Sequence, residues 1–393
     1  MLRFTEVRAI MSTMSHPLTR ENAFLALNAL PHVGPITVQK LMEVFENDPV
    51  KILKAQADEL QGIEGVGKSI IETITHWRDH FDLEKEAANM QKLNVQFISS
   101  THEDYPPYLK EIYDPPIGLY CRGSYRPGLR SVSIVGSRRC SLYGTKMAKE
   151  LAAQLVHLGF CVISGMARGI DTAAHEGALD AGGKTVGVFG CGVDIIYPPE
   201  NFSLSERIRE HGALVSEFKL GQRADKRSFP MRNRIVSGMS QDVIVVETNC
   251  NGGSMITARM AGEQGRQVFA VPGRVDQASS SGCHQLIRDG AVLLRSIDDL
   301  LEELSYLRQV EFNFKDNAND SPQLGKQASM GAAPNYSTQE TLILKNLMGE
   351  KPLTIDEICT RTQLASKDVT STLMLLELKK ALVKRADGTF EAA

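Results

Sequence analysis

Between residues 131 and 294 short apolar, β-branched runs alternate with helical stretches, and this alternation constrains the chain more than any other feature. The runs fall at 132–135, 161–164, 185–189, 214–216, 243–246, 268–271 and 291–294, with helical segments such as 145–158 and 172–180 between them. A half-exposed strand alternates apolar with polar residues. A strand that reads as continuously apolar is buried on both faces, which requires a parallel sheet covered by crossover helices. The expected class is therefore α/β. Ligands of such sheets sit beyond the carboxyl ends of the strands, so the strand-end loops are the places to search.

One segment of that region carries concentrated charge. Between Lys219 and Arg234 lie the cations Lys219, Arg223, Lys226, Arg227, Arg232 and Arg234 against a single acid, Asp225, although the chain as a whole has a net charge of -3. A local cationic segment on a near-neutral body suits a phosphate-rich ligand. Phe229 lies inside it, where a ring can stack on an unpaired base. Because Ile235 and Val236 follow at once, Arg232-Asn233-Arg234 is expected to cap a buried helix.

The remaining composition narrows the classes. At 393 residues the chain exceeds one typical core and implies two or three domains. No apolar run reaches membrane-spanning length, and no secretory signal is recognised before Met11 and Met14, either of which offers a later start. The 7 cysteines occur singly, with no C-x-x-C pair, so neither a metal site nor a disulfide framework is expected and a cytoplasmic setting fits.

Residues 20–95 read as a compact helical domain behind a 1–19 extension. Two segments in it resemble each other: Val33-Gly34-Pro35-Ile36 and Val66-Gly67-Lys68-Ser69, each a glycine turn before a helix. This looks like a tandem helix-hairpin-helix, and two uses stay open, holding a DNA phosphate at the helix N-termini or simple packing and protein contact. Gly62-Ile63-Glu64-Gly65-Val66-Gly67-Lys68-Ser69 also matches the phosphate-loop pattern letter for letter. That loop requires a buried strand before it, and the preceding Lys54–Leu60 stretch is polar and helical, so nucleotide binding is not expected there.

Residues 309–335, with Asn317-Ala318-Asn319-Asp320-Ser321-Pro322, read as a flexible linker. Residues 336–393 regain helical periodicity: one helix with Leu342, Leu344 and Leu347, a second from Thr354, a third from Ser366 to about Lys379, then a two-stranded wing over 381–390. This resembles a winged helix. Its third helix carries only Lys367 before Lys379 and Lys380, which leaves groove reading and protein contact both open.

Four strand-end loops in 96–308 hold the candidate site. Gly136-Ser137-Arg138-Arg139 follows the 132–135 run and reads as an anion nest with charge support, departing from the dinucleotide fingerprint, so no nicotinamide, flavin or other cofactor is expected. In Ser164-Gly165-Met166-Ala167-Arg168-Gly169-Ile170-Asp171 two glycines flank Arg168, and Asp171 can cap the helix that carries His175. His175 is read as orienting the loop rather than as a base. Gly190-Cys191-Gly192, ending at Tyr197-Pro198-Pro199, is read as structural, lining the site. Gly252-Gly253-Ser254 opens a helix after the 243–246 run, a further anion site, and Glu247 is read as an anchor rather than a general base.

The stretches Ile134-Val135-Gly136-Ser137-Arg138, Ser164 through Asp171, Phe229-Pro230-Met231-Arg232-Asn233-Arg234 and Val271-Pro272-Gly273 resemble the DNA-processing protein A family (DprA, also called Smf) over residues 97–295. Gly282-Cys283 departs from the family's usual Gly-Asn. The resemblance implies an extended Rossmann-like domain that binds single-stranded DNA, forms homodimers, protects incoming DNA in natural transformation and loads the RecA recombinase, with a contact to single-strand-binding protein. The DNA and phosphate contacts expected from these loops and the basic segment are Gly136, Ser137, Arg138, Gly165, Arg168, Lys226, Arg227, Phe229, Arg232, Asn233, Arg234, Gly252, Gly253 and Ser254, with no catalytic residue and no metal. The alternative is a nucleotide-binding or phosphoribohydrolase-type enzyme on the same fold. Those enzymes place a catalytic Glu after the Gly-Gly loop and its Thr, whereas here Thr257 is followed by Ala258-Arg259-Met260, which leaves no agent to activate water.

Overall fold

The structure is a computed structural model and describes residues 18–124, 130–304, 338–347, 352–378, 381–385 and 389–392. The linker and the 1–17 part of the extension lie outside the described residues. The chain divides into two compact units, one up to Asp299 and one from Leu300.

Among the described residues the first unit holds a nine-stranded sheet in the order β1-β2-β6-β5-β4-β3-β7-β8-β9. The strands are β1 Val95–Ser99, β2 Gly118–Gly123, β3 Ser131–Gly136, β4 Cys161–Ser164, β5 Thr185–Val188, β6 Ala213–Ser216, β7 Asp242–Val246, β8 Gln267–Ala270 and β9 Val292–Leu293. All seven apolar runs are strands of the parallel part. β1 and β2 extend that sheet antiparallel at the β6 edge; they are less uniformly apolar, with Gln96 in one and Arg122 in the other, which is why the parallel-sheet pattern misses them.

Strand order reverses at β3, which pairs parallel with β4 on one side and β7 on the other. That reversal opens a crevice at the carboxyl ends of β3 and β7. β3 and β7 are buried along almost their whole length, and the helices Leu142–His157, Ile170–Asp180, Ser228–Gly238 and Gly253–Glu263 follow the strands whose ends surround the crevice.

The helical segment before β1 packs on the antiparallel edge. Its core, including Phe24, Leu27, Leu41, Ile52, Leu60, Ile74 and Trp77, runs into Val95, Ile117 and Tyr120 of the sheet region. Gly34 and Gly67 are the N-caps of the helices Pro35–Val44 and Lys68–Thr75, as the repeated glycine turns require. The segment before the phosphate-loop look-alike is the short helix Ala57–Leu60, not a strand, so the loop has no sheet edge on which to fold around phosphate.

In the second unit the helices Thr338–Leu347, Ile355–Thr362 and Ser366–Leu378 precede β10 Leu382–Lys384 and β11 Phe390–Ala392, an antiparallel pair. Ile343, Leu347, Leu353, Ile358, Val369, Leu373, Leu382 and Phe390 form its core. Thr354 and Glu357 make a reciprocal capping box that starts the middle helix where the sequence places it. Three helices and a wing make this unit a winged helix. Lys379 and Lys380 lie outside the described residues.

Candidate functional site

The carboxyl ends of β3 and β7 open on a cleft of ≈ 530 Å³. Three segments that are distant in sequence converge on it: Gly136, Ser137, Arg138 and Arg139 after β3, Gly252, Gly253 and Ser254 after β7, and Arg232 and Asn233 from the helix Ser228–Gly238. A second, smaller cavity lies beside it, lined by Arg138, Gly165, Arg168, Tyr197, Phe229 and Arg232, among others. Arg138 and Arg232 border both, so the two form one cationic site.

The glycines are where close approach demands them. A Cβ on Gly136 would overlap the Val246 carbonyl of β7. Gly169, at φ 77°, comes so close to Ser137 that a Cβ would strike its carbonyl, and Ile170 N donates to that same oxygen at 3.2 Å. These contacts seat the loop after β4 against the loop after β3. A Cβ on Gly165 would overlap the Arg232 guanidinium, so this glycine makes room for the arginine.

The loop after β3 offers side chains more than amides. Ser137 N donates to Glu247 O at 2.8 Å, and Arg139 N donates to Ser137 Oγ at 3.1 Å. The next helix starts only at Leu142, and its cap Ser141 donates from N and Oγ to the Glu247 carboxylate, at 3.0 and 2.8 Å. Glu247 is thus the anchor the sequence suggests, on a backbone held at φ 56°. The exposed groups of this loop are the Arg138 and Arg139 guanidinium groups. After β7, Gly252 caps the helix Gly253–Glu263, while the buried Ser254 hydroxyl donates to Thr248 Oγ1 at 2.7 Å.

The basic segment folds differently from its expected role as a cap. Asp225 Oδ1 accepts from Arg227 N and Ser228 N at 2.6 and 2.8 Å and so closes the start of the helix. Residues 232–234 therefore lie inside Ser228–Gly238, not at its end. Lys226 and Arg227 are exposed on the preceding turn and line neither cavity. Phe229 is half-buried, with the Arg138 guanidinium 5.0 Å from its ring centre and the Tyr197 ring tilted against it at 5.7 Å.

The two arginines of the motif go separate ways. Arg232 is buried and faces Asp171 at 3.7 Å, long for a charge-assisted bond. Burial pulls the Arg232 guanidinium below its ordinary range, opposed by Asp171, and burial likewise pushes the Asp171 carboxyl up. An arginine does not deprotonate in a protein, so a weakly compensated cation borders the cleft. Arg234 turns away from the cleft and bonds Glu217 at 2.6 Å and Asp114 at 3.0 Å.

The reactive-looking side chains are structural. Asp171 does not cap its helix; Gly169 occupies the cap, and Asp171 Oδ2 accepts from Ala167 N at 3.2 Å within the loop. His175 is fully buried and bonds Thr185 Oγ1 of β5 at 2.7 Å, which ties its helix to that strand, and burial lowers its pKa to about 3, opposed by the Ser164 backbone at the start of the loop. Cys191 lines the smaller cavity, but burial raises its thiol to about 12, which leaves no thiolate. Among the described residues no group of side chains is arranged to hold a metal ion.

Tyr197 and Asn249 belong to two strand-end loops that the sequence already marks for the site, and each lines a cavity. Sequence reasoning did not single out Glu200, Asn201 or Thr248, which surround or support the two cavities. These become visible only once the loops are assembled.

Fold and cleft together define a Rossmann-like protein whose switch-point crevice is lined with cations and joined to a winged helix in the same chain. Comparison with known proteins narrows this class. The family model described as DNA recombination-mediator protein A matches residues 96–305, and a DprA winged helix domain matches 327–388. The chain is 33% identical over 380 residues to protein Smf of Synechocystis sp., covering 90% of this chain and 94% of that protein. It is 35% identical over 270 residues to the DNA processing protein DprA of Streptococcus pneumoniae, covering 68% and 93%. The crystal structure of that streptococcal protein superposes with a TM-score of 0.63 at 32% identity, covering 72% of this chain and 98% of that one. The chain belongs to the DNA-processing protein A family.

Proposed function

We propose that the β3/β7 cleft holds the backbone of single-stranded DNA, and that the protein protects incoming DNA during natural transformation and loads the RecA recombinase onto it. The observation that carries this reading is the convergence of Arg138, Arg139 and Arg232 with the Gly252–Ser254 helix start on one open cleft, beside a cavity with Phe229 and Tyr197 on its wall. Guanidinium groups and a helix N-terminus suit phosphates, and aromatic rings suit unpaired bases of any identity. The names of the relatives, DNA processing protein and recombination mediator, agree with it.

The role is binding rather than catalysis. Glu247 is engaged with Ser141, His175 and Cys191 are buried, and Ala258 and Arg259 follow Thr257 where a hydrolase of this fold carries its carboxylate. Action as a homodimer, contact with single-strand-binding protein and a cytoplasmic location belong to the same reading; no helix among the described residues is long and apolar enough to cross a membrane. Lys226, Arg227 and Asn233 contribute from the edge of the site. Arg234 acts indirectly, by fixing the helix that presents Arg232.

Competition between single- and double-stranded oligonucleotides at two salt concentrations tests the proposal. Single strands should win, and the logarithm of affinity should fall linearly with the logarithm of salt at about 0.7 per phosphate contacted. A preference for duplex, or affinity indifferent to salt, would overturn it.

A further inference from the structure

At the mouth of the smaller cavity the Arg168 guanidinium is closed off by a carboxylate of the same chain. Arg168 Nε pairs with Glu200 Oε1, and both side chains are about half exposed, 58% and 49%. The exposure matters because water screens the pair and leaves it exchangeable. Each partner nevertheless stands on a pinned loop. Beside Glu200, the buried Asn201 donates through Nδ2 to Met166 O and to Thr172 Oγ1, both at 3.0 Å. Thr172 Oγ1 in turn donates to Ala167 O at 2.8 Å, and Met166 sits at φ 57°, so the turn before Arg168 is held as well. The Pro198-Pro199 turn therefore presents Glu200 to Arg168 in a fixed pose rather than as a chance surface encounter.

The chemistry of the surroundings makes this placement unusual. Arg138, Arg168 and Arg232 all border the cavity, and Glu200 is an exposed anion paired with one of them. The cavity itself is ≈ 30 Å³, room for about one water molecule. Arg168 lines it, so a change of partner at Arg168 is a change at its wall. A nucleic-acid phosphate and the Glu200 carboxylate present the same kind of acceptor to the guanidinium.

We propose that Glu200 is an internal stand-in for a DNA phosphate, an exchangeable latch that occupies Arg168 until a single strand displaces it. This rests on the single-strand reading of the cleft. The latch sets a threshold. A polyanion that also engages Arg138 and Arg232 can displace Glu200, whereas a lone phosphate competes with a carboxylate already in place.

The test is a double-mutant cycle read by fluorescence anisotropy with labelled oligothymidylate, using the full chain with Glu200→Gln, Arg168→Gln and both together. Glu200→Gln should bind roughly two- to five-fold tighter than wild type at low salt, the scale of one exposed ion pair. In the Arg168→Gln background the same substitution should change affinity much less, because there is no guanidinium left to release. Equal gain in both backgrounds would mean that Glu200 acts only as a nearby negative charge and would overturn the latch. Weaker binding by Glu200→Gln would also overturn it, by showing that Glu200 positions Arg168 for DNA. Glu200→Ala gives the same readings should the glutamine variant not fold. Wild-type chain that fails to bind the oligonucleotide would bring down the single-strand reading and the latch with it; wild-type binding without a gain in Glu200→Gln brings down the latch alone.

Discussion

Arg232 and Arg234 are two residues apart on one helix and do opposite work. At 3.6 residues per turn they point about 200° apart. One faces the crevice at β3 and β7 with a single carboxylate at 3.7 Å. The other is enclosed by Glu217 and Asp114 at bonding distance, which links β6, the approach to β2 and the helix itself. Two buried cations of the same motif thus differ in how fully they are paired. The one with two carboxylate partners holds the element in place. The poorly paired one keeps charge for a ligand.

This contrast can be broken most severely at Arg234. Arg234→Met leaves Glu217 buried without its partner and should cost about 3–5 kcal/mol of stability, measured by denaturant unfolding. A loss under about 1 kcal/mol would mean that the triad does not hold the helix. Gly165→Ala attacks the other arginine from beneath, since its methyl would overlap the Arg232 guanidinium. Overpacking of this kind costs about 1–3 kcal/mol, and the shifted Arg232 should also weaken DNA binding. An unchanged melting temperature would show that Arg232 has room to move and is less fixed than its burial suggests.

Smaller effects sharpen the division between stacking and charge. Phe229→Ala should lower single-strand affinity by about 1–3 kcal/mol without altering the salt slope, because no charge is removed. A lowered melting temperature with unchanged affinity would assign the half-buried ring to the core instead. Arg138→Ala should flatten the salt slope by about 0.7 for one lost phosphate contact while stability stays within about 0.5 kcal/mol, its side chain being exposed. The smallest effect is expected at Lys68, whose loop spells the phosphate-loop pattern but has no strand before it. Lys68→Ala should leave stability within about 0.5 kcal/mol, and calorimetry with ATP should show no heat of binding before or after the change.

Much of the architecture was legible because burial writes itself into local pattern. The seven apolar runs correspond to β3 through β9, and the capping box at Thr354 marks the start of its helix to the residue. The loops that matter were legible by position, as strand ends rich in glycine and arginine. Legibility stopped where a residue's partner is far away in sequence. Ser137 N looks like a free donor until Glu247 O is found against it. Asp171 looks like a helix cap until Gly169 takes that place. His175 looks as if it serves its loop alone until Thr185 of β5 is found against its ring.

The chain by itself determined the α/β class, the parallel sheet, the winged helix and a cationic segment, because each depends on contacts or periodicities within a few residues. Tertiary structure alone decided which face of the helix Ser228–Gly238 looks into the cleft. The reason is geometric. A helix distributes neighbouring side chains around its axis, and only packing against β5 and the helices Gly253–Glu263 and Pro107–Lys110 sets its rotation, turning Arg234 to Glu217 and Asp114 and leaving Arg232 over Gly165.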